Sequence, residues 1–345
     1  MSDVVSSTAN NEGLLDADTP GTVRMTVAAA TELGLKALRR IGYSEDEVKI
    51  IIDHLIDNAL CGYKFAGLPR ILAFAQSDRN WKPRFPVKVT HETPVSASID
   101  GGNNIGYIAA LRATEIAIEK ATRSGVSIVG VYNSYYSGRN AYYAEKITRA
   151  GFVTIHTATA IPRVVPPGGA RPALGPNPIC IGFPSTNGPV ILDMGTASVM
   201  WGEVVLFAHI GKELPDGVGF DAAGRPTRDA REALLGGVAP FGGHRGYGLS
   251  FAIQALGLLA GSAMAAGNVQ DFAFFFLVIS PNLLIPGDRF PEQMTELVRR
   301  IKGTPRQPGV EEIRIPSERA FRERERRRLE GIVIDRSVVD SLRAL

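Results

Sequence analysis

Between residues 87 and 155 the chain alternates strand-like and helix-like segments, and this alternation is what most limits its choice of fold. Residues 87–99 read as strand, Asp100-Gly101-Gly102 as a turn, and 105–123 as a long helix carrying Ala109, Leu111, Ala113, Ile116 and Ile118. Residues 126–131 form a short, largely β-branched run of the kind buried on both faces of a sheet. Residues 141–150 then read as helix and 152–155 as strand. Strand, helix and strand in succession call for an α/β lobe.

Upstream, residues 27–41 are apolar and alanine-rich, and Gly42 closes them. Ser44 with Glu47 three residues on is a capping box, followed by Val48, Ile51, Ile52, Leu55, Ile56 and Leu60 at helical spacing. Another helix begins over 71–74. Residues 162–189 are too rich in Pro and Gly for regular structure, and 190–192 resume as strand. Residues 249–266 read as a helix apolar nearly all round, hence buried, and 272–279 as an aromatic and aliphatic strand. A highly charged helix over 318–330 and a last strand over 332–334 complete the pattern, with no internal repeat.

Composition excludes several function classes. A net charge of +3, from 38 basic and 35 acidic residues among 345, implies no strongly charged partner. The basic run 322–328 is interleaved with Glu323 and Glu325, so it reads as a solvated helix face; no nucleic-acid motif accompanies it. The apolar stretch 251–266 contains Gln254 and Ser262 and is shorter than the ~20 residues of a membrane span. Residues 1–20 are polar, without the cationic start and apolar run of a signal peptide, so a flexible tail and a cytoplasmic location are expected. Cys61 and Cys180 read as buried free thiols, and no Cys/His spacing suits zinc; no metal is expected.

The common cofactor signatures are missing. No GxGxxG follows a first strand, and no Walker lysine, GxSxG or HExxH is present. The stretch from Gly242 through His244, Arg245 and Gly246 to Gly248 is glycine-dense and opens a helix. Backbone amides at a helix start beside Arg245 suit a phosphate; glycines also let a helix start pack closely.

Several loops nevertheless match a known pattern in order. Gly168-Gly169 with Leu174-Gly175-Pro176-Asn177-Pro178-Ile179 resembles "GG…LGTNPI", and Leu192-Asp193-Met194-Gly195-Thr196-Ala197-Ser198 resembles "LDMATS". Leu214-Pro215 through Pro226-Thr227 follows "LP-G…D-dG-PT", and Pro240 through Leu249 follows "PlGG-KGyGL". With these motifs the chain resembles the type-2 malate/L-lactate dehydrogenase family, which also holds ureidoglycolate dehydrogenase, 2,3-diketogulonate reductase and Δ1-piperideine-2-carboxylate reductase, from about Val23 to Leu345.

The resemblance implies a non-Rossmann α/β fold with a helical N-terminal region and a mixed-sheet cofactor lobe, forming a homodimer. It implies a tail over 1–20, a helical region over 21–95, an α/β NAD(P)-binding and substrate lobe over 96–310, and a segment over 311–345 returning to the first lobe. NAD or NADP would lie along Asp193, Met194, Gly195, Thr196, Ala197 and Ser198, with His244, Arg245 and Gly246 near it. Pro316-Ser317-Glu318 matches the family's "PGE", a further cofactor-side loop. Arg70 matches an arginine that clamps the carboxylate of a small-molecule substrate, a role its planar fork suits. The chemistry would be hydride transfer to or from the carbon beside that carboxylate.

Two departures concern proton transfer. The family's "SHG-xR" reads Phe65-Ala66-Gly67-Leu68-Pro69-Arg70 here, with Ala66 at the histidine. Its "NS-HfG" reads Asn133-Ser134-Tyr135-Tyr136-Ser137-Gly138, with Tyr136 at the second histidine. Hydride addition to a carbonyl builds an alkoxide that must gain a proton, and tyrosine can supply one where alanine cannot. Tyr136 is thus the expected acid, ahead of Tyr135 or Tyr63, with Lys64 or Arg139 as the cation beside it. Pro176, Trp201 and Arg245 also depart from the pattern, while His54 and His209, the latter in a strand-like run, suit structural roles. Arg139, Arg163 and Arg171 are candidates for a 2′-phosphate or for ordinary surface roles. Three readings follow: a reductase with a rebuilt acid site, acting on C=O or on an iminium that already carries its proton; a non-catalytic dinucleotide-binding homologue; and altered chemistry on the same scaffold.

Overall fold

Thr26 and Ser44 each turn a side-chain oxygen back onto the first turn of a helix, and with those caps the N-terminal helices are set. The computed structural model of the chain describes residues 21–262 and 272–345; the tail expected over 1–20 lies outside them. The described chain begins with β1 (Thr22–Met25), α1 (Val27–Arg40), α2 (Glu45–Leu60) and α3 (Arg70–Ala75). The Ser44/Glu47 capping box is present at the head of α2.

Next come β2 (Lys88–Thr93), β3 (Ser96–Ile105), α4 (Gly106–Ser124), β4 (Val126–Tyr135), α5 (Asn140–Arg149), β5 (Val153–Ala158), β6 (Ile179–Phe183) and β7 (Val190–Met194). After them lie α6 (Trp201–Ile210), the short β8 (Gly219–Phe220) and β9 (Pro226–Thr227), α7 (Ala230–Leu235), β10 (Gly237–Val238), α8 (His244–Leu259), β11 (Phe272–Ile279) and α9 (Arg289–Lys302). The chain closes with α10 (Glu318–Glu330), β12 (Ile332–Asp335) and α11 (Arg336–Ala344).

Two compact units result. One unites residues 21–77 with 319–345: β1 pairs antiparallel with β12, and Ala30, Leu38, Ile51, Leu55, Ile71, Phe74, Val339 and Leu342 are buried. The other, 78–318, holds a seven-stranded mixed sheet in the order β2-β3-β4-β11-β5-β6-β7, in which only β3 and β4 run parallel. The side chains of β11 alternate between its faces. Phe274, Phe276 and Val278 join the alanines of α4 and Tyr142, Tyr143 and Ile147 of α5, whereas Ala273, Phe275 and Leu277 pack with Leu256 and Ala260 at the end of α8. A strand buried on both faces explains why its sequence is apolar throughout. No described helix is long and apolar enough to cross a membrane.

The structure corrects several expectations. Residues 87–99 are a hairpin of β2 and β3 rather than one strand, and Asp100-Gly101-Gly102 continues β3 instead of turning. The glycines there serve close approach: a Cβ on Gly101 would stand 2.9 Å from the Asn133 carbonyl oxygen, and one on Gly102 2.2 Å from that of Phe85. The Pro- and Gly-rich stretch contains β6, because Pro178 only precedes the strand. His209 is on α6, not in a strand. The helix expected from residue 249 starts earlier, at His244, and is not buried all round: Ser250, Ile253 and Gly257 face inward, while Phe251 and Leu259 are 61% and 73% exposed. Residues 263–266 of that expectation lie outside the described chain. On α10 the arginines are not one solvated face, since Arg324 and Arg327 are buried, the former donating to Asp57 and the latter to Glu323.

Candidate active site

Strand β7 ends at Met194, and the chain leaves the sheet through Gly195, Thr196, Ala197 and Ser198. Hydrogen bonds lace this turn to its neighbours. The Thr196 N–H donates to the Pro176 carbonyl at 2.9 Å, and the Phe241 N–H donates to the Thr196 carbonyl at 3.0 Å. Ser198 donates both its N–H and its hydroxyl to the Ala239 carbonyl, each at 2.9 Å. Segments 193–198 and 240–246 therefore run side by side, with a bridge between Ala197 and Pro240.

The glycine cluster at the head of α8 has two uses. Gly246 is buried, and a Cβ on it would meet the Phe241 carbonyl oxygen at 2.3 Å, so this glycine serves close packing. Gly243 has φ +61°, and a Cβ there would meet nothing within 4 Å. Open backbone at this point, with exposed His244 and Arg245 on the first turn, leaves the positive end of a 16-residue helix facing solvent. On the other side, the Ser317 hydroxyl donates to the Ile191 carbonyl at 2.7 Å, placing Pro316, Ser317 and Glu318 beside β7. Glu318 accepts from the Ile315 N–H and pairs with Lys302.

Asp193 does something the sequence did not suggest. Its carboxylate accepts the Ala141 N–H at 2.8 Å and so caps α5, with Arg139 near enough to interact. Burial pushes this carboxyl up, against the downward pull of Ala141 and Arg139.

Just before α5, Tyr136 follows the end of β4 with φ +54°, a left-handed backbone that costs a non-glycine residue roughly 1–2 kcal/mol. Its ring meets Tyr135 edge-on at 5.6 Å and Phe272 at 5.9 Å. A polar network braces this corner. Arg79 donates to Asn103 at 2.8 Å and to the Ser134 carbonyl at 2.9 Å, and its guanidinium lies 5.0 Å from the Tyr135 ring centre. Asn133 in turn donates to Asp100 at 2.7 Å. Asn103 and Asn133 also have positive φ, which marks this end of β3 and β4 as conformationally unusual. Register shifts in β3 between Asp100 and Asn104, and in β11 between Phe272 and Phe274, fall at the same end.

Of the three arginines considered for a phosphate, Arg171 is exposed, Arg139 is buried and Arg163 is half-buried, so the ordinary surface reading fails for the last two. The Arg163 guanidinium lies 4.4 Å from the Trp201 ring centre and interacts electrostatically with Tyr136.

Lys64, Ala66 and Arg70 belong to the other unit. Lys64–Ala66 is a single 3-10 turn, fixed by Asn58 donating to the Ala66 carbonyl at 2.9 Å. Arg70 is the half-buried first residue of α3, and Tyr63 lies under the Arg319 guanidinium at 5.4 Å. Sequence reading missed Arg79 and the capping role of Asp193, because the partners of both lie far along the chain.

Comparison with known proteins shows what this arrangement is similar to. The family model described as malate/L-lactate dehydrogenase matches residues 25–343. A malate/(S)-sulfolactate dehydrogenase of Methanothermus fervidus is 32% identical, over 90% of this chain and 94% of that protein. A Δ1-pyrroline-2-carboxylate/Δ1-piperideine-2-carboxylate reductase of Pseudomonas putida is 29% identical, over 72% of this chain and 74% of that one. The solved structure of malate dehydrogenase from Pyrococcus horikoshii superposes with a TM-score of 0.84 at 28% identity, covering 94% of this chain and 95% of the other.

Proposed function

This chain belongs to the malate/L-lactate dehydrogenase family, and from that premise we propose an NADH- or NADPH-dependent reductase acting at the carbon beside a carboxylate. Tyr136 is its proton donor. When bound, the reduced nicotinamide supplies the hydride. The residues present fit such a nucleotide: the Thr196 hydroxyl is buried with no hydrogen-bond partner among the described residues, and Gly243, where a Cβ would meet nothing within 4 Å, leaves backbone open at the head of α8. The backbone of Asp193, Met194, Gly195, Thr196, Ala197 and Ser198 would hold the nucleotide with His244, Arg245 and Gly246, and with Pro316, Ser317 and Glu318.

The observation that carries this reading is the left-handed backbone of Tyr136, held in place by the braced ends of β3 and β4. Strain of this kind persists where surrounding structure over-determines it, and it clusters at working sites. Tyr136 holds a proton on its hydroxyl and delivers it to the alkoxide. The carboxylate clamp falls to Arg70 on the ground of its motif, and Lys64 precedes it as a local cation. A cyclic imine acid is a variant of the same reading, supported by the reductase of Pseudomonas putida; its iminium brings its own proton. The assembly is a cytoplasmic homodimer, for which size measurement by light scattering is the check.

The test is direct. NADH and NADPH binding is read by nucleotide fluorescence, followed by turnover of a panel of 2-oxo acids and cyclic imine acids. No binding of either nucleotide ends the reading. Binding without any turnover would instead make this a non-catalytic homologue.

A further inference from the structure

We propose that Arg163, stacked on Trp201, is a second anion-binding point that selects 2-oxo acids carrying another acidic group at the far end. The inference rests on the placement of the proton donor at Tyr136 and adds a specificity-determining residue to it.

Arg79, half-buried likewise, and the buried Arg324 and Arg327 have protein acceptors. Arg79 reaches Asn103 and the Ser134 carbonyl, Arg324 reaches Asp57, and Arg327 reaches Glu323 and the Ala59 carbonyl. Arg163 is different: its half-buried guanidinium makes no hydrogen bond or ion pair with any described residue. A guanidinium withdrawn from water without an acceptor is unfavourable, and burial duly pulls its pKa down. Stacking on Trp201 occupies one face of the cation and leaves the N–H edge, which is the part that binds a carboxylate in bidentate fashion.

Trp201 is itself fixed. It begins α6, directly after the Asp193–Ser198 turn, and packs on the cluster of Val164, Val204, Leu214 and Val238. The Arg163 backbone is pinned on both sides, its N–H on the Leu174 carbonyl at 2.8 Å and its carbonyl under the Val238 N–H at 2.9 Å. The cation is thus preorganised. An anion at this point could come from the substrate or from a nucleotide phosphate. Interaction with Tyr136 puts the guanidinium at the reacting end, which favours the substrate.

The chain has two tryptophans, so in a Trp81→Phe background the emission of Trp201 reports on the stack. Glutarate should change that emission saturably and butyrate should not, and Arg163→Met should abolish the glutarate response. In steady-state assays Arg163→Met should lower kcat/KM for 2-oxoglutarate roughly 10- to 100-fold and that for 2-oxopentanoate less than about threefold. Arg163→Lys, which keeps the charge without the fork, should fall between. Equal losses on both acids, or a glutarate response that survives Arg163→Met, would overturn the assignment. So would a defect confined to NADPH binding, which would make Arg163 a phosphate ligand. If the unmutated protein reduces neither acid, the oxo-acid form of the reductase reading fails, and the glutarate titration still decides the subsite.

Discussion

The carboxylate of Asp193, at the exit of β7, accepts the backbone N–H of Ala141 at 2.8 Å, so the strand leading to the Gly195–Ser198 turn and the helix following Tyr136 are held by one side chain. Asp193→Ala should lose about 1–2 kcal/mol of stability, the usual value of a helix cap. Asp193→Asn keeps an acceptor and removes a charge that burial disfavours, so it should stay within about 1 kcal/mol of the parent. Urea unfolding distinguishes them; equal losses would show that the charge, not the cap, is what counts.

Tyr136→Phe should lower kcat for 2-oxo acids roughly 10²- to 10⁴-fold, the range expected for a lost general acid. Its ring contacts with Tyr135 and Phe272 survive, so thermal unfolding should barely move. A cyclic imine acid should suffer a smaller loss. An unaffected rate on oxo acids would remove Tyr136 from the mechanism.

At Arg70 the fork is the point. Arg70→Lys should raise KM for carboxylate substrates roughly 10-fold or more while changing kcat less, because a point charge cannot grip both oxygens. Initial-rate kinetics on one oxo acid give the split. An unchanged KM would assign Arg70 a structural task.

His156 has a pH signature. It is fully buried, stacked on Phe276 at 3.9 Å, with Nδ1 on the Phe275 carbonyl, and burial pulls its pKa from 6.5 to about 4. Below the ordinary value the unfolded chain takes up a proton that the folded chain refuses. Stability therefore falls as pH drops from about 6.5 to about 4, by up to about 3 kcal/mol from this residue. His156→Phe should lack this part of the slope in denaturant titrations at about pH 5 and about pH 7.5. A parallel pH dependence in both proteins would contradict the assignment.

Arg324 lies 2.9 Å from the Asp57 carboxylate, and both are largely withdrawn from solvent. Arg324→Leu leaves that carboxylate without its cation and should cost about 3 kcal/mol. Adding Asp57→Asn should restore much of it, which chemical denaturation of the double variant would reveal.

Much of the fold was legible because local signals and tertiary packing agree. The Ser44/Glu47 box marks α2, and the apolar run Phe272–Ile279 is a strand buried on both faces. What escaped reading depends on distant partners. β1 exists only by pairing with β12 from the other end of the chain. β6 is masked by the prolines on either side of it, Pro178 and Pro184, and by Gly182, where a Cβ would stand 2.6 Å from the Thr148 side chain on α5. For α6, α9 and α11 no strong start signal was recognised. At the candidate site the loops could be identified by resemblance, but the unpaired state of Arg163 could not, since an arginine's partners are not written beside it.

The middle of the large sheet is its last strand to be made. β11 lies between β4 and β5, antiparallel to both, yet it follows them by more than a hundred residues. A ribosome releases β2 to β7 well before Phe272–Ile279 appears. Until then the nascent chain carries two half-sheets whose facing edges have no partner, an invitation to pair with other chains. Folding should therefore be slow, dominated by contacts far apart in sequence, and finished only once β11 has been made. A chain cut short before Phe272 would be a sticky fragment rather than a smaller working protein.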